Sequence, residues 1–272
     1  MRAGDLFDVR DKRVFITGGA SGIGFAIAEV MANAGARVAI VDRSASALDL
    51  ALSKLTSAGF EVRGEAADAT SAADLDRAVA STVAAFDRID IVFANAGISG
   101  GPGFLLADGA RNEAGAIENL DPDFWDRVIT TNLGSIFRTI RAVAPVLKKQ
   151  NGGRIIVTSS ISATRTELHV GTAYVASKAG VAQLTRQTAR ELARWNILVN
   201  AIAPGPVITN IAGGRLKQAE ARAPFEAAAP LHRIATPDDI QGAALFLASP
   251  ASRHITGAEI LIDGGASLGA AD

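Results

Sequence analysis

The apolar, β-rich run Arg13–Thr17 breaks directly into Gly18-Gly19-Ala20-Ser21-Gly22-Ile23-Gly24, and an amphipathic stretch follows to about Ala34. This reads as strand, glycine turn and helix, and it constrains the fold more than any other feature. Glycines let the backbone turn tightly and let a phosphate approach the first amides of the helix, where unpaired N–H groups and the helix dipole favour anions. The same alternation continues along the chain. Strands are expected at 37–41, 61–67, 89–94, 154–158, 197–203 and Glu259–Ile262. Helices are expected at 45–58, Ala72–Phe86, 122–149, 173–195 and 237–248. The strands are too apolar for one-sided exposure, as in a parallel sheet covered on both faces. The class is α/β, and 272 residues without an internal repeat or linker predict a single domain, 1–272.

Charge and composition exclude several functions. Lys and Arg total 27 against 28 Asp and Glu, so no bulk positive field draws nucleic acid or an anionic membrane. No cysteine is present, which removes disulfides, thiolate catalysis and cysteine–metal sites together. His169, His232 and His254 fall in no metal-ligand spacing, so no catalytic metal is expected. Residues 1–12 lack an apolar signal core, and no run approaches the roughly 18 apolar residues of a membrane span. The expectation is a cytoplasmic protein acting on small molecules.

The ends of the expected strands carry the chemistry. Asp42 closes the second strand, where a βαβ unit places an acid against an adenosine ribose; a helix N-cap is the plainer role, which Ser44 or Ser46 can fill instead. Asp68 ends the third, Asn95-Ala96-Gly97 the fourth and Ser159-Ser160 the fifth. Asn132 interrupts the apolar face of the 122–149 helix, and a buried asparagine is either a structural tie or part of a site. Tyr174 and Lys178 stand one helical turn apart on one face. A fixed cation beside a phenol favours the phenolate, which suits such a tyrosine for proton transfer near neutral pH. Pro204-Gly205-Pro206 stops the sixth strand, and 207–230 is a polar, alanine-rich excursion placed as a lid. Residues 100–121 read as a long loop that either shapes the substrate mouth or is a surface insertion.

In this order the motifs resemble those of the short-chain dehydrogenase/reductase family: Thr17 to Gly24, Asn95-Ala96-Gly97, Ser160, Tyr174-x-x-x-Lys178 and Pro204-Gly205. The resemblance spans nearly the whole chain. It implies a Rossmann-type, doubly wound parallel sheet of about seven strands and hydride transfer between a nicotinamide dinucleotide and an alcohol or ketone carbon. It further implies Tyr174 as general acid/base, and Lys178 as the group that lowers its pKa and binds the nicotinamide ribose. Ser160 would hold the substrate oxygen, with Ser159 and Ser162 as decoys, and Asn132 a relay water. Gly18, Ser21, Gly22, Ile23 and Gly24 would cradle the cofactor, with Asp42 on the ribose and Asp68 on the adenine. Asn95, Ala96, Gly97, Pro204 and Gly205 would line it, and Val207 and Thr209 would meet the nicotinamide amide. NAD is expected over NADP because Asp42 is acidic and the glycine turn is neutral. A homotetramer is expected through the segments 122–149 and 173–195 and the last strand. Two rivals stand beside this reading: an enzyme close to 3-oxoacyl-carrier-protein reductases, and a non-catalytic protein that senses NAD.

Overall fold

A computed structural model describes residues 3–106 and 108–269. β1 (Arg13–Thr17) turns through the glycines into α1 (Gly22–Asn33), β2 (Arg37–Asp42) leads to α2 (Ala45–Ser57), and β3 (Val62–Ala66) leads to α3 (Ala72–Phe86). β4 (Ile91–Ala94) is followed by the 100–121 excursion, then by α4 (Pro122–Ile129) and α5 (Ser135–Gln150). β5 (Gly153–Thr158), α6 (Thr172–Leu192), β6 (Ile197–Pro204), α7 (Ala219–Ala228), α8 (Asp238–Ala248) and β7 (Glu259–Ile262) complete the chain.

The seven strands form one parallel sheet in the order β3-β2-β1-β4-β5-β6-β7. Alternate residues of the inner strands enter opposite cores, whereas the edge strands β3 and β7 are covered mainly on one face. Phe15, Val92 and Val157 face α3, α5 and α6, whereas Val14, Ile16, Phe93 and Ile156 face α1, α2 and α8. Full burial of such side chains contributes about 1.5–3 kcal/mol each in transfer free energy, and it fixes strand register because a one-residue slip would exchange the two cores. The chain winds outward from β1 to β3 and then crosses to β4 on the other side. Loops from β1 and β4 therefore diverge at the carboxyl edge, leaving the crevice where open α/β sheets bind ligands.

Three segments differ from the sequence expectation. The expected 122–149 helix contains a π-helical turn at Thr130–Gly134 between α4 and α5. The extra residue per turn rotates Asn132 into the protein, where it is fully buried. The 207–230 excursion contains the helix α7, preceded by 3-10 turns within Ile211–Lys217 that are interrupted by the left-handed residues Ala212, Gly213 and Gly214. The 100–121 excursion has two short 3-10 turns and docks on the loop before α6. Leu105 N donates to Leu168 O at 3.1 Å, Gly171 N donates to Gly101 O at 3.2 Å, and Pro102 pairs with Val170. Residue 107 of that excursion lies outside the described residues. Among the described residues, no helix is long and apolar enough to cross a membrane.

Candidate active site

A cavity of about 640 Å³ occupies the crevice, and most of the expected site residues lie on its wall. Gly18, Ser21, Gly22 and Ile23 form one end at the start of α1. Gly18 has a left-handed backbone (φ +65), and an added Cβ there would fall 2.9 Å from Ala96 Cα, so the turn needs glycine twice over. Ser21 stands at the N-cap of α1 without bonding a helix amide, which leaves its hydroxyl available. Gly24 is not on the wall. It packs the helix onto the turn, since a Cβ there would overlap the Gly18 carbonyl.

Asp42 and Asp68 line the cavity at the ends of β2 and β3. Ser44, not Asp42, caps α2, accepting from Ala47 N at 3.3 Å. The Asp42 carboxylate is instead oriented from both sides, by Ala20 N at 3.2 Å and Ser44 N at 3.1 Å. Asp68 accepts from both the amide and the hydroxyl of Thr70 at 2.8 Å, which fixes the turn into α3. Asn95, Ala96 and Gly97 form the cavity floor. The Asn95 side chain is committed to the protein: Nδ2 donates to Gly18 O at 3.0 Å, and Oδ1 accepts from Thr158 Oγ1 at 2.9 Å. It pins the first glycine turn to the end of β5. Pro204, Gly205, Val207 and Thr209 close the opposite side.

Ser160, Tyr174 and Lys178 meet at the middle of this wall. Tyr174 and Lys178 both project from the first turns of α6, and Lys178 Nζ lies 5.5 Å from the Tyr174 ring centroid. The ammonium donates to Thr158 O at 2.8 Å, so its position depends on the end of β5. The electrostatics correct the simplest expectation for the pair. Burial pushes the Tyr174 phenol above its ordinary value, the adjacent Ser160 hydroxyl pulls it down, and the Glu167 carboxylate adds to the rise. Burial likewise lowers Lys178 to about 8, partly offset by Glu259. Desolvation thus outweighs the Ser160 hydrogen bond at the phenol in this arrangement.

Ser160 is the serine beside Tyr174. Ser159 Oγ is buried without a hydrogen-bond partner in the structure, whereas Ser162 is the next hydroxyl after Ser160 at 3.2 Å. Asn132 lies behind the wall, not on it. Its Oδ1 accepts from Ile98 N at 2.7 Å, and its Nδ2 donates to Ile98 O at 3.0 Å and Ser177 Oγ at 3.3 Å. The π-helical turn thereby ties the loop after β4 to α6. The sequence reading missed Thr158, Ser177, Arg165 and Glu167. Thr158 was marked only by its place at a strand end, and Ser177 only by its place between Tyr174 and Lys178.

A family model described as Enoyl-(Acyl carrier protein) reductase matches residues 18–267. L-rhamnose 1-dehydrogenase (NAD(P)(+)) of Azotobacter vinelandii is 35% identical, over 94% of this chain and 96% of that protein. The chain belongs to the short-chain dehydrogenase/reductase family. Two solved structures of the family agree with the fold. A short-chain type dehydrogenase/reductase from Mycobacterium marinum has a TM-score of 0.88 at 31% identity, covering 97% of this chain and 99% of that one. A 7α-hydroxysteroid dehydrogenase in complex with NADH and 7-oxo glycochenodeoxycholic acid has a TM-score of 0.86 at 30% identity, covering 97% and 98%. The protein is accordingly an oxidoreductase of alcohols or ketones that uses a nicotinamide cofactor.

Proposed function

We propose that the protein is an NAD-dependent dehydrogenase that interconverts a secondary alcohol and a ketone, with Tyr174 exchanging the proton at the substrate oxygen. The convergence of Ser160, Tyr174 and Lys178 on one wall of the switch-point crevice carries this reading. The cofactor fits the residues present: a left-handed glycine turn, open amides at the start of α1, and a carboxylate fixed at the end of β2. When bound, the nicotinamide supplies or accepts the hydride. Asp42 would hold the adenosine ribose and Asp68 the adenine. The first amides of α1, with Ser21 and Ile23, would hold the phosphates, and Lys178 the nicotinamide ribose. Val207 and Thr209 would orient the carboxamide end. Ser160 would position the substrate oxygen against the phenol, and Asn132 would act by holding the Ile98 loop and α6 in register.

A reductase of acyl-carrier-protein substrates is the second reading, favoured by the description of the matching family model. Cofactor choice bears on the two, because Asp42 favours NAD. A non-catalytic NAD sensor is disfavoured by the intact convergence of proton-transfer groups. We expect the protein to work in the cytoplasm as a homotetramer. A panel of secondary alcohols with NAD, followed by NADH absorbance, tests the activity: NADH should form with at least one alcohol. Formation only of NADP from NADPH with acyl thioester ketones would favour the second reading.

A further inference from the structure

The loop between β5 and α6 carries groups that hydride transfer does not require. Ser162, Arg165, Glu167 and His169 all line the cavity on the side of Tyr174. The Glu167 side chain is only 12% exposed. A carboxylate so far removed from water is costly unless its acceptor sites are filled. Ser162 Oγ donates to Glu167 Oε1 at 3.3 Å, and Arg165 Nε lies 3.2 Å from the same oxygen. Arg165 is further engaged with the Ala266 carbonyl. An ionised carboxylate offers about four acceptor sites, so one hydroxyl and one guanidinium contact leave it with capacity toward the cavity.

The direction of the hydroxyl chain follows from that carboxylate. Glu167 can only accept, so the Ser162 proton points to it. Ser162 Oγ then accepts from Ser160 Oγ at 3.2 Å, and Ser160 Oγ accepts the Ser162 backbone N–H at 3.2 Å. Ser160 is thereby tied both into this chain and to the Tyr174 phenol, whose pKa its hydroxyl lowers. Two hydrogen-bond lengths away, Glu167 presents a second acceptor. At the rim, His169 Nδ1 lies 3.1 Å from Leu105 O, which places its proton on Nδ1 and makes Nε2 of the neutral ring an acceptor too. The wall is rich in acceptors, and Arg165 balances its one charge.

We propose that Glu167 determines specificity by accepting a hydrogen bond from a second hydroxyl, adjacent to the carbon that Tyr174 serves. The substrate class is then neutral vicinal diols and polyols, including sugars. This rests on the dehydrogenase reading above and adds the substrate. An apolar alcohol would cover the Glu167 carboxylate without giving it a donor, and a hydroxy acid would bring like charge to it. Sites built to bond a substrate hydroxyl discriminate strongly against analogues that lack it.

The test compares a four-carbon vicinal diol, the matching mono-alcohol, the matching hydroxy acid and a hexitol, in the wild type and in Glu167→Gln. The wild type should favour the diol or the hexitol over the mono-alcohol by at least about tenfold in kcat/KM. Glu167→Gln should reduce that advantage to about twofold or less, mainly through KM, on top of any common change in kcat that follows from removing a carboxylate near Tyr174. Preference of the wild type for the mono-alcohol or hydroxy acid would overturn the proposal, whether or not the variant folds. So would equal losses on every substrate in a variant that still binds NADH. Binding to Tyr174→Phe in the presence of NAD provides a readout without turnover: the diol or hexitol should raise the melting temperature and the mono-alcohol should not. If nothing is oxidised by the wild type, the dehydrogenase reading fails, and the binding result still decides whether the cavity takes diols and polyols over mono-alcohols.

Discussion

Tyr174 is half-buried beside the buried Lys178, and each is pushed toward its neutral form: the phenol upward, the ammonium down to about 8. Groups coupled this closely titrate as a pair. Alcohol oxidation needs the phenolate, which the Lys178 cation favours while it keeps its proton. Oxidation should therefore rise with pH through an apparent pKa of the pair, and Lys178→Met should move that limb to higher pH, cut turnover and weaken cofactor binding. Unchanged pH profile and NADH affinity in that variant would reduce Lys178 to a packing residue. At the other end of the cavity, Asp42 is held by Ala20 N and Ser44 N facing the expected ribose position. A 2'-phosphate there would meet like charge, a repulsion of roughly 4 kcal/mol per pair of unit charges at about 4 Å and an effective dielectric near 20, before salt and rearrangement reduce it. NAD should exceed NADP by at least about tenfold in kcat/KM, or about 1.4 kcal/mol, and Asp42→Ala should narrow or reverse the ratio. Equal efficiency in the wild type would mean that Arg43, also on the cavity wall, governs the pocket. These residues were legible because each ends a strand or opens a helix next to a recognisable motif. The packing around Tyr174 was not: Gly100, from the distant loop after β4, lies so close that an added Cβ would overlap that of Tyr174.

The elements around the cavity differ in how firmly they are anchored. The segment after β6 passes through three consecutive left-handed residues, Ala212, Gly213 and Gly214, into α7, which has no buried residue and no side-chain cap. Such a helix is held by few contacts and opens at low cost. One of its contacts joins it to the substrate wall, where Phe225 meets His169 edge-on at 6.5 Å between centroids. Amide hydrogen exchange across 207–230 should be fast in the free protein and slow markedly with cofactor and alcohol both bound; equally fast exchange in both states would contradict a closing role. Two-sided burial leaves a continuous apolar signature, weaker at the exposed edge strand β3, so the inner strands could be read from their apolar runs. α7 could not, since its alanine-rich sequence has no strong apolar face and includes Pro224. The π-helical turn likewise has no local signature, and a buried Asn132 on an apolar helix face was its only trace. The 100–121 excursion takes its shape from distant partners, Leu168 and Val170, which a local reading does not connect to it.

At the scale of the whole molecule, one topological fact organises the rest: the reversal of strand order between β1 and β4 opens a crevice, and the motifs spread along the chain converge there. That convergence was legible from motif order, whereas the docking of the substrate wall was not. The surface carries apolar groups without cover in the single chain, notably Phe137 on α5 and Leu261 on β7, 52% and 48% exposed. They lie on the elements expected to pair copies of the chain, so light scattering should give the mass of four chains; a monomer at micromolar concentration would contradict that assembly. The central claim is that Tyr174 carries the proton for hydride exchange within this crevice. It is tested most directly by comparing NADH formation from an accepted alcohol in the wild type and Tyr174→Phe, with NADH affinity measured on the same preparations. Turnover should fall by about a hundredfold to ten-thousandfold with affinity nearly unchanged; near-normal turnover in the variant would remove Tyr174 from the proton-transfer step.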